Sequence, residues 1–205
     1  MKNQYDAKYA EKNYYWGRKP SPICFKILEM MPPVKSLKIL VIGCGEGRNA
    51  IFLARNGYNV TAFDLSSVGV EKTKRMAEEA GVVIDIFRAD VNEFRLTKEY
   101  DILFSIGTLH YIPEELRNGV FENYKKYTSE NGLNVFSVLI QKPFIKKAPD
   151  SEKTDNKWIS GELFGYYHDW KIEYCMEEVF DCISSGIPHK HASNRMIAKK
   201  ISGML

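Results

Sequence analysis

The sequence predicts an α/β fold, a parallel sheet covered by helices and closed by an antiparallel hairpin. Three observations carry this expectation. From residue 37 onward, short β-branched or aromatic runs alternate with amphipathic stretches at helical spacing. Near the C-terminus two strand-like runs, 171–181 and 192–200, flank Ser184-Ser185-Gly186-Ile187-Pro188, which is turn chemistry. The 205 residues are 44% hydrophobic and 13% aromatic, enough for one core, so a single domain over 1–205 is expected.

In order along the chain, residues 1–19 form a polar arm rich in tyrosine. Strands are expected at 37–43, 58–64, 82–89, 100–106 and 133–140. Between the first two, 48–56 forms a helix with Ile51 and Ala54 on one face; in the next helix Val70, Thr73, Ala77 and Ala80 make the buried stripe. Pro113, Glu114 and Glu115 start a further helix, because proline tolerates the first turn and carboxylates complement its positive end. Leu116, Val120, Tyr124 and Tyr127 are its expected buried stripe, and Asn131-Gly132 its stop. Residues 141–157 are polar and too long for an ordinary connection, which suits a lid or insertion. A short helix near 161–167 precedes the hairpin, and Trp158, Tyr166, Tyr167 and Trp170 are expected to pack that connection.

Composition excludes several classes. Twenty-nine Lys+Arg against 26 Asp+Glu give +3 with no long basic tract, so nothing calls for nucleic acid. Neither a signal-peptide core nor a run of about 20 apolar residues is present, so no membrane partner and a cytoplasmic location are expected. Cys24, Cys44, Cys175 and Cys182 contain no C-x-x-C pair and read as reduced thiols.

The most informative stretch is Leu37-Lys38-Ile39-Leu40-Val41-Ile42-Gly43-Cys44-Gly45-Glu46-Gly47-Arg48, a buried strand running through three glycines into a helix. Glycine lets a ligand approach the backbone, and the helix start offers unsatisfied N–H groups. Asp64 ends the next strand, 19 residues after Gly45, where a carboxylate can accept bonds from both ribose hydroxyls. Asp90 ends the third strand, placed to meet an adenine amino group while Val91 covers the ring. A dinucleotide loop reads G-x-G-x-x-G, but position 48 is Arg and the spacing here is G-x-G-x-G, which suits a ligand without pyrophosphate, S-adenosylmethionine.

With VIGCGEGRNA, Phe63-Asp64-Leu65-Ser66, Ala89-Asp90-Val91 and Tyr100-Asp101-Ile102-Leu103, the chain resembles the class I S-adenosylmethionine-dependent methyltransferases over roughly residues 12–200. Gly47-Arg48-Asn49, Gly57-Tyr58-Asn59-Val60, Gly161-Glu162-Leu163 and Tyr166-Tyr167 are similar to the small tellurite-resistance and thiopurine-type members. The resemblance implies a Rossmann-like three-layer sandwich whose seven-stranded, mostly parallel sheet runs 3-2-1-4-5-7-6, with strand 7 antiparallel. The His-Arg pair associated with tellurite-handling members falls on Phe180-Asp181.

Methyl transfer from a sulfonium needs alignment and exclusion of water, and a base only where the acceptor must lose a proton. The expected cofactor residues are Trp16, which shields the sulfonium, Arg18, which meets the carboxylate, Gly43, Cys44, Gly45, Asp64, Leu65, Asp90, Val91 and Ile106. His110 and Tyr111 follow the fourth strand at the sheet's carboxyl edge and are the catalytic candidates. His189 and His191 share a strand face and are expected to bind substrate; Cys and carboxylate spacing offer them no third ligand, so no metal is expected. The acceptor is expected to be a small molecule and the protein a monomer or homodimer. Two other readings stay open, a nicotinamide-dependent oxidoreductase and a non-catalytic S-adenosylmethionine-binding protein.

Overall fold

The computed structural model describes residues 4–147, 157–183 and 186–201. The chain divides into two compact units, Met1–Phe94 and Arg95–Leu205.

The first unit holds helices α1 (Gln4–Tyr9), α2 (Ile23–Met30), α3 (Arg48–Arg55) and α4 (Ser67–Ala80) and strands β1 (Lys38–Ile42), β2 (Asn59–Asp64) and β3 (Asp85–Arg88). Four successive buried residues, Ile39 to Ile42, make β1 a two-faced core strand, as parallel sheets require. It pairs in parallel with β2 from Lys38↔Asn59 to Ile42↔Phe63, and β2 with β3 from Thr61↔Asp85 to Asp64↔Arg88. Ser66 caps α4, its Oγ accepting from the Gly69 amide at 3.1 Å, while Gly81 ends the helix at φ +64. The third strand is shorter than expected from 82–89. Val82 and Ile84 pack against Ile51, Met76 and Ala77, so the chain leaving α4 joins the helix layer before it reaches the ladder.

The second unit holds β4 (Tyr100–Ile106), a 3-10 turn (Leu109–Tyr111), α5 (Glu114–Lys126), β5 (Thr128–Ile140), α6 (Glu162–Gly165), β6 (Lys171–Cys182) and β7 (His189–Lys199). β4 and β5 are parallel, while β7 is antiparallel to both β5 and β6. The strand order of the seven-stranded sheet is β3-β2-β1-β4-β5-β7-β6, the order implied by the resemblance.

Two expectations in this unit fail for stated reasons. Asn131-Gly132 does not stop α5, which ends at Lys126; β5 begins at Thr128, and Gly132 lies inside it. The ladder slips here, Tyr100 facing Thr128 and Ile102 facing Leu133. Residues 129–132 are therefore a bulge, with Asn131 at φ +62. A Cβ on Gly132 would lie 2.7 Å from the Asp101 and Ser129 carbonyl oxygens, so the glycine serves close backbone approach and not helix termination. The buried stripe of α5 is Arg117, Val120, Phe121 and Tyr124, one position round from the expected Leu116 and Tyr127. What rotates it is an aromatic cluster around Phe121, stacked on Tyr166 at 4.5 Å and edge-on to Trp158 and Tyr167 at 5.9 Å. Arg117 enters this core because its guanidinium lies 4.2 Å from the Trp158 ring and pairs with Glu162 at 2.6 Å. Trp158 and Tyr167 do pack the β5–β6 connection as expected. Residues 148–156 of the expected lid, and 184–185 of the hairpin turn, lie outside the described residues. Among the described residues no helix is long and apolar enough to cross a membrane.

Candidate functional site

The glycine loop leaves β1 with Gly43, Gly45 and Gly47 all at positive φ. Its shape is fixed from β2. The Gly43 and Cys44 amides both donate to the Phe63 carbonyl at 2.9 Å, and the Gly45 amide donates to Asp64 Oδ2 at 2.8 Å. Asp64 Oδ1 accepts from the Ser66 amide at 2.9 Å. Oδ2 thus ties the carboxylate to the glycine loop, while Oδ1 ties it to the start of α4. Burial raises the Asp64 carboxyl pKa, opposed by the Ser66 and Gly45 amides that favour the anion.

Three neighbours of the loop, Tyr9, Lys72 and Thr73, were not foreseen in that place. Tyr9, at the end of α1, is buried on it; a Cβ on Gly45, whose φ is +57, would lie 3.1 Å from the Tyr9 hydroxyl. Glu46 and Lys72 form a buried ion pair at 2.8 Å, and Lys72 Nζ also donates to the Glu11 and Asn13 carbonyls at 2.7 and 3.0 Å. Thr73 donates to the Gly45 carbonyl at 3.1 Å. The signal for Lys72 was available, since Gly69, Lys72, Thr73 and Met76 follow i, i+3, i+4, i+7 and a lysine in an apolar stripe requires a partner.

Trp16 stands at this loop. Its amide donates to Glu46 at 3.4 Å, its carbonyl accepts from Arg48 at 2.9 Å, and its indole N–H donates to the Tyr9 hydroxyl at 3.1 Å. Arg18 goes elsewhere, pairing with Glu79 at 3.1 Å. The loop meets α4 at Gly69, where an added Cβ would lie 2.7 Å from the Gly45 carbonyl, whereas Glu79 is near the far end of that helix, about 15 Å away at 1.5 Å per residue. The arm turns at Gly17 and carries this side chain along α4. Cys44 is buried beside Thr73 with its thiol pKa pushed up by desolvation, a packing residue whose backbone belongs to the loop. Asp90 opens the turn after β3, accepting from the Asn92 amide at 2.9 Å, with Val91 buried next to it. Leu65 is 39% exposed beside Asp64 and presents an apolar surface there.

In the second unit Ile106 ends β4, and the 3-10 turn carries His110 and Tyr111, their rings 4.1 Å apart. His110 Nδ1 is buried with no hydrogen-bond partner. Desolvation first, and His191 second, depress the imidazole pKa to about 4, so it is neutral at pH 7. His189 and His191 sit at the start of β7, their Nε2 atoms 3.0 Å apart. The hairpin also brings Cys182 to them, with ligand atoms of all three within 4.8 Å of one another. The expectation that no third candidate ligand stands near the two histidines is thereby corrected, because strand register supplies what linear spacing concealed.

Known proteins agree with this architecture. The family model of tellurite resistance protein TehB matches residues 6–196. The "Probable S-adenosyl-L-methionine-dependent methyltransferase TehB" of Haemophilus influenzae is 24% identical over 197 residues, covering 94% of this chain and 68% of that protein. A ubiquinone biosynthesis O-methyltransferase of Rickettsia canadensis is 29% identical over 114 residues, 56% of this chain and 48% of that one. The crystal structure of Haemophilus influenzae TehB superposes with a TM-score of 0.78 at 21% identity over 96% of this chain, which spans 65% of that chain. The chain belongs to the TehB family within the class I S-adenosylmethionine-dependent methyltransferases, whose cofactor is S-adenosylmethionine.

Proposed function

We propose that this protein transfers a methyl group from S-adenosylmethionine to a small-molecule nucleophile, a thiol, amine, hydroxyl or oxyanion, by in-line displacement. The observation that carries the reading is the Asp64 carboxylate held 2.8 Å from the Gly45 amide, a strand-end acid and a glycine loop locked into one surface. When bound, the cofactor supplies a methyl carbon already activated by a sulfonium.

The protein's part is to bind, orient and exclude water. Asp64 accepts the ribose hydroxyls, Asp90 the adenine amino group, and Leu65 and Val91 flank the base. The backbone of Gly43, Cys44 and Gly45 receives the amino-acid end, Trp16 covers it from the arm, and Ile106 closes the sheet edge. On the acceptor side His110 is neutral and can accept the proton of a thiol or hydroxyl acceptor as it turns acidic during methyl transfer, while Tyr111, His189 and His191 position that acceptor. Oxyanion or neutral amine acceptors need no base. The G-x-G-x-G spacing with Arg48 argues against the nicotinamide reading.

An acceptor screen that measures released S-adenosylhomocysteine tests this, with thiols, amines, phenols and tellurite as separate arms. Turnover in one arm, lost in Asp64→Ala, supports the proposal. Tight cofactor binding with no turnover in any arm would instead favour a sensor.

A further inference from the structure

We propose that Cys182, His189 and His191 form a binding site for a thiophilic d-block cation, Zn2+ as the probe, at the open end of the β6–β7 hairpin. In the antiparallel ladder Cys182 stands opposite His189 and Phe180 opposite His191. Directly opposed residues share a face, as do residues two apart on one strand, so the four side chains emerge on the same side. Lys190 and Asp181 emerge on the other side, where they pair with each other at 2.6 Å. That face therefore offers one sulfur and two imidazoles, walled by Phe180, whose ring centroid is 5.7 Å from that of His191.

Two details fit a cation. His189 Nδ1 lies 2.7 Å from the Ile187 carbonyl oxygen, which can only accept, so the proton is on Nδ1 and the Nε2 lone pair accepts from His191 Nε2, a proton that a bound cation would displace. A ring N–H given to a backbone carbonyl is the outer contact that orients metal-ligating histidines. The partner nitrogen, His191 Nε2, is 3.0 Å away, close to the spacing of about 3.3 Å for two nitrogens on one tetrahedral zinc with bonds of roughly 2.0–2.1 Å. Thiolate with imidazole favours Zn2+ over Mg2+ or Ca2+, and three protein ligands leave a fourth position for water or a further ligand. The site shares His189 and His191 with the acceptor side proposed above, and its test reads metal binding alone, so its failure is distinct from a failure of methyl transfer.

The test uses the full chain with metal alone. Co2+ titration is expected to give a thiolate-to-metal charge-transfer band at one equivalent, and Zn2+ to abolish it by displacement. In chelator competition Cys182→Ser and His191→Ala should each weaken Zn2+ binding at least tenfold, while Cys175→Ser, on the opposite face of β6, leaves it unchanged. The native-chain spectrum requires no variant to fold. Absence of the charge-transfer band, or Zn2+ affinity unaltered in a folded Cys182→Ser, overturns the proposal.

Discussion

The glycine loop of the first unit and the β4–β7 edge of the second differ in how their polar groups are used. Around the loop, Asp64, Glu46, Lys72, Thr73 and the Gly43, Cys44 and Gly45 amides all have protein partners, most within about 3 Å. In the second unit His110 Nδ1, the Tyr124 hydroxyl, Trp158 Nε1 and one Arg117 nitrogen are buried with no hydrogen-bond partner. A network in which each group is satisfied holds one geometry; buried groups left over are where chemistry or a ligand can enter. The glycine loop is thus held in one geometry by its own partners, while His110 at the end of β4 keeps a buried nitrogen that no protein group uses.

The largest test of this contrast is Gly45→Val. The residue sits at φ +57 and its new Cβ would lie 3.1 Å from the Tyr9 hydroxyl before the γ-carbons are added. A β-branched side chain in that conformation is strained, and it pushes Tyr9 and Trp16 off the loop. S-adenosylhomocysteine affinity measured by calorimetry should fall more than a hundredfold with the circular dichroism spectrum retained. Unchanged affinity would reduce the loop to a turn.

Asp64→Ala comes next. It removes acceptors for the Gly45 and Ser66 amides as well as for the ribose, and charge-assisted bonds are worth roughly 1.5–3 kcal/mol each. Affinity should drop at least about tenfold and the melting temperature should fall with it. A loss of affinity without loss of stability would mean that the amides find water and that the cradle is less fixed than the contrast claims.

A smaller effect on binding is expected from the arm. Lys72→Met leaves Glu46 buried without its cation, and breaking such a pair costs roughly 3–5 kcal/mol. The double variant Lys72→Met/Glu46→Gln should recover most of that loss but not the contacts to the Glu11 and Asn13 carbonyls. Hydrogen exchange should then quicken at residues 5–16 and stay slow in β1 and β2. Equal protection of the arm in wild type and double variant would show that Tyr9 and Trp16 hold it without Lys72.

The same contrast explains what could be read before the fold was known. A strand running through spaced glycines into a helix demands positive φ at the turn, and acids stand at or just past the ends of the next two strands, so the loop at Gly43 and Gly45 and the strand-end places of Asp64 and Asp90 were legible from residue type and spacing. Tyr9 was not, because six helical residues in a polar arm carry too weak a period. Cys182 was hidden differently: C-x6-H-x-H has no meaning until the turn length sets Cys182 against His189. The pairing of Arg18 with Glu79 was not legible either, because the two lie 61 residues apart in the chain. In α5 the pattern gave the helix but not its rotation, since burial of Arg117 depends on Glu162, Trp158 and the Lys157 carbonyl, all supplied from forty or more residues away, besides the local Ile112 carbonyl.

The smallest expected effect concerns His110 and is read in the pH dependence of stability. Its imidazole titrates near 6.5 when exposed and near 4 in the folded protein, because burial penalises the cation and His191 opposes it. Between these values the unfolded chain binds more protons than the native one, so stability rises with pH across that window and is lost as pH falls from about 6.5 towards 4. His110→Gln keeps comparable bulk without the titration, and its urea midpoint should vary less over the same range while matching the wild-type trend above pH 7. Parallel curves for the two proteins would place the His110 pKa near its ordinary value and remove the basis for a neutral, enclosed imidazole. The rate profile provides a second check. A base with a pKa near 4 is already deprotonated throughout the neutral range, so any inflection in turnover near pH 6.5 belongs to another group, and His110→Gln should lower the plateau without moving that inflection.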